Sequence, residues 1–294
     1  MRSQADKLKQ LVAKRVLGIV GAKEKVGLST ILYNIAAGLT ERIGDVIIIN
    51  ASSRGIPPFW GVEQIPDVPV AERLLNGEYS LRATPVPTSY DKVKVIDFGE
   101  IDLARVEDPA WVRERIRKYF QRVEENYPFV LIDLGTLSSV QSAVFSMSCP
   151  ELMFVLTPSP EARAQCYATI KSMLNSDGSF REVSIALLVN MVEGPDQALL
   201  VSESIADTAR KFLDFDLSTA GYVPLDRCVD VASENKQPFL VASPESLASQ
   251  TLKEVVDWIY GNRPSMRQIG VSDIVVNFFD LLIEIQDKGE ENAS

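Results

Sequence analysis

The sequence predicts an α/β fold: a single domain built on a doubly wound, mostly parallel β-sheet with helices on both faces. Seven short apolar runs alternate with amphipathic stretches along the chain. Most of those runs are apolar at nearly every position, as strands covered on both faces are. A third observation places the functional end. The loop GAKEKVGLST (21–30) lies between the first apolar run and the first helical pattern. In open α/β sheets, ligands gather where strands hand over to helices at their carboxyl ends.

The first strand is VLGIVG (17–22), and ILYNIAAGLTER (31–42) continues from the loop as a helix. DVIIIN (45–50) is the second strand. The Pro-rich piece RGIPPFWGVEQIPDVPV (54–70) follows it as a loop. KVKVID (92–97) is the third strand. WVRERIRKYFQRVEENY (111–127) then places Trp111, Ile116, Phe120 and Val123 at helical spacing. FVLIDLG (129–135) and ELMFVLT (151–157) are strands, and PEARAQCYATIKSML (160–174) is a helix. VSIALLVN (183–190), the helix DQALLVSESIADTARKFL (196–213) and LSTAGYV (217–223) complete the alternation. GNRPSMRQIG (261–270) reads as a hinge before a final helix.

Composition narrows the function. The chain has 294 residues and a formal net charge of −10, which argues against binding along a nucleic-acid backbone. It has no histidine. Its three cysteines, Cys149, Cys166 and Cys228, are far apart, so the residues supply no zinc-ligand spacing and no histidine-based catalytic pair. No metal ligand and no catalytic residue is assigned. The start MRSQADKLKQ reads as too polar for a signal peptide, and no apolar run approaches the roughly 20 residues of a membrane span. The expected compartment is the cytoplasm.

Gly21 to Thr30 lines up with G-x-K-G-G-V-G-K-T-T, the deviant Walker A loop of the MinD/ParA family of P-loop ATPases. In that alignment Lys23 matches the signature lysine, Gly27 the last glycine and Ser29 the magnesium-binding hydroxyl, with Thr30 beside it. Glu24 and Lys25 replace two glycines. Leu28 replaces the lysine that holds the β- and γ-phosphates. The likeness extends beyond the loop. LTPSPEARAQCYATIK (156–171) resembles TPEPTSITDAYALIK, and residues 190–249 resemble the long C-terminal signature of the family's flagellar branch, the FlhG (FleN) proteins. SQADKLK (3–9) resembles DQAxxLR, the helix by which that branch binds FlhF, a GTPase that places flagella.

The resemblance implies ATP or ADP as the ligand, and the departures imply that binding is weak. A lysine about 4 Å from a phosphate charge gains roughly 4 kcal/mol at an effective dielectric near 20, and Leu28 removes it. Where the family ends its second strand in Asp-x-Asp, this chain has Asn50-Ala51-Ser52, which brings no charge to magnesium. Asp133 keeps the Walker B carboxylate, but the later switch glycine falls on Leu137 and a family Asp falls on Gln165. Loss of hydrolysis is therefore expected.

Each matching residue also has a structural reading. Gly21 and Gly27 suit a strand-to-helix turn, and Ser29 and Thr30 suit a helix N-cap. Asp133 suits a loop contact at a strand end. Asn190, at the family's adenine-recognising position, also suits a turn. Lys23, which in the family reaches a dimer partner's phosphates, is otherwise a solvated loop lysine.

In the N-terminal segment (1–14), Ala5, Leu8, Leu11 and Val12 form an apolar stripe flanked by basic residues. By resemblance it is the partner-binding element. Leu8 and Leu11 are its anchors, Gln4 is a polar register contact, and Lys9 stands where the family has arginine. The alternative is docking on its own domain. The domain proper spans 15–262. The final helix (270–288) places Ile274, Phe278, Leu281, Leu282 and Ile285 on one face, with Asn277, Asp280 and Glu284 opposite. Its acidity argues against anionic lipid and for packing on protein.

The favoured reading is an FlhG-like adaptor on an FlhF-like GTPase, controlling flagellar placement or number from the cytoplasm or the cell pole. It would act as a homodimer or as a heterodimer with an intact FlhG. The alternative is a slow MinD-type ATPase switch in pole or septum positioning, with Lys25 replacing the lost lysine. A polysaccharide-export tyrosine kinase shares the loop. Those kinases carry a C-terminal tyrosine cluster, and here no tyrosine follows Tyr260.

Overall fold

Runs of β-branched residues covered on both faces become the middle of the sheet. In the computed structural model, which describes residues 15–77, 85–176, 183–261 and 269–291, β1 (Arg15–Gly21), β2 (Val46–Asn50) and β5 (Phe129–Asp133) are buried at almost every position. Between and around them run α1 (Leu28–Ile43), α2 (Val70–Leu75), β3 (Val86–Pro87), β4 (Val93–Asp97) and α3 (Pro109–Asn126). The chain continues through α4 (Val140–Ser148), β6 (Glu151–Leu156), α5 (Pro160–Ser176), β7 (Ser184–Val192) and α6 (Pro195–Leu213). It ends with β8 (Ser218–Pro224), α7 (Arg227–Glu234), α8 (Phe239–Ala242), α9 (Leu247–Gly261) and α10 (Val271–Glu291).

One eight-stranded sheet has the order β3-β4-β2-β5-β1-β6-β7-β8. All its pairings are parallel except that of β3 with β4. All seven strands read from the sequence are present. The addition is β3, two residues long and at the edge, too short to show any period. Strand order reverses beside β1, so the loops after β1, β2 and β5 open at one end of the sheet. That is the switch-point crevice of open α/β sheets.

The Pro-rich segment after β2 is more than a surface loop. Its 3-10 turn Pro58–Trp60 buries Trp60 completely, 5.8 Å from the Tyr33 ring of α1. The Trp60 indole donates to the Ser29 carbonyl at 3.1 Å, which fixes the start of α1 to this loop. Opposite, the Arg15 side chain at the start of β1 pairs with Glu151 at 2.6 Å and donates to the Ile259 carbonyl. That joins β1, β6 and the end of α9.

The last helix docks on its own domain. Ile274, Val275, Phe278, Phe279 and Leu282 of α10 are buried, and Phe278 stacks on Phe145 of α4 with centroids 4.4 Å apart. Its acidic side faces α3, where Arg113 meets Asp280 at 2.8 Å and Arg117 lies 3.7 Å from Asp273. Among the described residues no helix is long and apolar enough to cross a membrane. The N-terminal residues Gln4, Leu8, Lys9 and Leu11 lie outside the described residues, as does most of the 261–270 hinge.

Candidate phosphate site

The loop between β1 and α1 keeps a backbone shape that its side chains do not favour. Lys25 has φ +63° and Gly27 φ +80°, both left-handed. Glycine takes that conformation freely, whereas a side chain raises its energy by about 1–2 kcal/mol. Lys25, at a glycine position of the aligned motif, therefore holds its conformation against local preference. Leu137 at φ +52° does the same at the aligned switch glycine. Gly27 is the N-cap of α1 and brings no side chain to it. Ser29 and Thr30 lie inside the first turn rather than capping it, which corrects the N-cap reading. The first N–H groups of α1 are thus open to an acceptor, the arrangement that binds anions.

Asn190 lies within β7, not in a turn, and is 6% exposed. Its Nδ2 donates to the Val26 carbonyl at 2.9 Å. A Cβ built on Gly27 would lie 2.4 Å from that nitrogen, so glycine is required there for packing as well as for φ. The tether pins the loop to a strand far away in sequence.

Leu28 is the first residue of α1 and is buried within the core at 7% exposure. With Val26 it packs towards the Gly21 end of β1. Where the aligned loop would present an ammonium, the inside of this loop is apolar. The remaining loop lysines lie further out, Lys23 partly exposed and Lys25 exposed.

The second strand's end is occupied by its own hydrogen bonds. Asn50 is fully buried and lies in register between Asp97 of β4 and Asp133 of β5. Its Nδ2 donates to Asp97 at 2.8 Å, and its Oδ1 accepts the Ser52 hydroxyl at 2.7 Å. Asp133, 2% exposed, accepts the Gly135 N–H at 3.0 Å. Burial pushes its carboxyl up to about 6, against the lowering effect of that N–H and of the Arg54 charge. Among the described residues no group of three or more His, Cys, Asp or Glu side chains is arranged to hold a metal ion.

Glu24 turns to the neighbouring loops rather than to Lys25. Its carboxylate pairs with Arg54 Nη1 at 2.5 Å and accepts the Thr136 hydroxyl at 3.2 Å. One side chain thus joins the loops after β1, β2 and β5. Sequence reasoning passed over Arg54, Thr136 and Asp97. Only Asp97 carried a signal, as a carboxylate ending a strand next to β2. The others meet through the parallel register alone.

This order of parallel strands matches solved structures over nearly their whole length. MinD in the MinC:MinD cell division complex of Aquifex aeolicus gives a TM-score of 0.63 at 17% identity, covering 86% of this chain and 98% of that one. A ParA family ATPase from Chlorobium tepidum gives 0.60 at 20%, covering 85% and 98%. The fold is that of the MinD/ParA-type P-loop ATPases. A further structure of this MinD/ParA fold, Pyrococcus horikoshii MinD complexed with Mg-ADP, gives 0.60 at 15%, covering 83% and 95%. In sequence the chain is 21% identical to the antiactivator FleN of Pseudomonas aeruginosa over 251 residues, covering 82% of this chain and 84% of FleN. No family model matches the chain. The MinD/ParA framework thus carries a loop with left-handed backbone and open helix N–H groups, but with a leucine inside it.

Proposed function

We propose that this chain is an FlhG-like regulator of flagellar placement or number that acts by binding an FlhF-like GTPase through residues 1–14, with ATP hydrolysis lost. The observation that carries the reading is Leu28, buried in the core where the aligned lysine would meet the phosphates. Phosphoryl transfer depends on positioned charge, and Asn50 and Ser52 satisfy each other instead of organising magnesium and water. What remains is a rigid framework with open backbone donors. It suits weak nucleotide binding through Lys23, Gly27, Ser29 and Thr30, with Asp133 and Asn190 nearby.

The likeness to FleN supports the flagellar assignment. The SQADKLK segment supports a GTPase partner, because its apolar stripe and basic flanks suit a helix laid in a groove. Pairing with itself or with an intact FlhG, and residence at the cell pole, belong to the same reading. The test is a pull-down and calorimetry with a purified FlhF-type GTPase. Deleting residues 1–12, or Leu8→Asp alone, is expected to abolish binding while circular dichroism stays unchanged. Equal binding by the full chain and the truncation overturns the reading.

A further inference from the structure

We propose that Arg54, from the loop after β2, supplies the phosphate-binding charge that Leu28 does not, and that Glu24 occupies it until nucleotide arrives. The inference rests on reading the 21–30 loop as a nucleotide site, and it names the residue that controls that site. The lysine position inside the loop is closed: Leu28 is buried, and the loop's inner face toward Gly21 is lined by Val26 and Leu28. A compensating cation must reach the phosphates from outside the loop.

Arg54 is the cation already held across that mouth. Its guanidinium meets the Glu24 carboxylate at 2.5 Å, and the same carboxylate takes the hydroxyl of Thr136, three residues beyond Asp133. The guanidinium therefore sits where the loops after β1, β2 and β5 converge. Its charge is felt by the buried Asp133 carboxylate. Arginine suits the task, because its planar fork binds two oxygens of one anion.

Glu24 stands at a position where the aligned motif has glycine, and glycine brings no anion. Here the carboxylate acts as an internal anion, matched to Arg54. Phosphate oxygens compete for the same guanidinium, and their arrival exchanges one charge-assisted contact for another. No covalent bond changes. Both partners are about half exposed, with side-chain exposures of 49% and 58%, so either can be replaced without opening the core.

Isothermal titration calorimetry of the full chain with ATP and magnesium tests this. Glu24→Gln is expected to tighten binding and Arg54→Ala to weaken it, each by about tenfold, the size of one charge-assisted hydrogen bond. Arg54→Lys should recover part of the loss. Far-UV circular dichroism and thermal melts confirm that each variant is folded. If Arg54→Ala binds ATP as the parent does, or Glu24→Gln leaves the affinity unchanged, the assignment is overturned. It is equally overturned if neither the parent nor Glu24→Gln binds ATP at millimolar concentration. The adaptor reading is judged separately, by GTPase binding of the 1–12 deletion.

Discussion

The Asn190 side chain on β7 donates to the Val26 carbonyl at 2.9 Å, tying the loop after β1 to a strand more than 160 residues further along the chain. The bond is buried, so removing the donor leaves a carbonyl without its partner. Asn190→Ala is expected to lower stability by about 1–2 kcal/mol. Hydrogen exchange at residues 22–27 should rise more than elsewhere. Gly27→Ala should be at least as harmful, because the new methyl meets Asn190 and φ is +80°. Denaturant titration and exchange mass spectrometry check both.

Asp133 gives the fold a pH dependence. Its folded pKa, about 6, is above the ordinary carboxylate value of 3.8. Between those values the folded state holds a proton that the unfolded state has released, so stability falls as pH rises from about 4 to 6. The penalty is complete above 6 and absent below 4. Asp133→Asn keeps the oxygen that accepts the Gly135 N–H. It is expected to raise stability at pH 8 by up to about 3 kcal/mol, with no gain at pH 4. Urea titrations at the two pH values read the difference directly.

Hydrolysis should be indistinguishable from background in a steady-state ATPase assay. Leu28→Lys should not restore it, since Asn50 and Ser52 still carry no charge. That variant also places an ammonium in an apolar, 7%-exposed site, so a lower melting temperature is expected with it. Turnover by the parent that disappears in Lys25→Ala would favour the slow-switch alternative.

Phe278 anchors α10 through its stack on Phe145 and its contact with Phe98 at 6.1 Å. Phe278→Ala is expected to cost about 3–5 kcal/mol. Arg113→Ala, which removes an ion pair at the rim, should cost less than about 1 kcal/mol. Sedimentation with anionic liposomes should leave the full chain in the supernatant, because Asp273 and Asp280 pair with α3 and Ile274, Phe278 and Leu282 are buried.

Periodicity and composition sufficed for seven of the strands, for α1, α3, α5, α6 and α10, and for the sheet those strands form, but not for α4 or the fifteen-residue α9. Buried parallel strands and amphipathic helices write their environment into successive residues, as Val46–Asn50 and the spacing of Ile116, Phe120 and Val123 do. The shorter helices α2, α7 and α8 and the two-residue β3 span too few residues to complete a pattern. The motif alignment likewise located the loop, the changed strand end and Asp133, since those lie in local order along the chain. Tertiary structure alone decided what the side chains do there. Leu28 turns into the core because an apolar side chain at a helix start gains more by burial than by facing an open anion site. Glu24 meets Arg54 and Thr136, and Asn50 meets Asp97, because parallel register brings the ends of β1, β2, β4 and β5 together. Those pairings depend on strand order, which residue spacing along the chain does not encode.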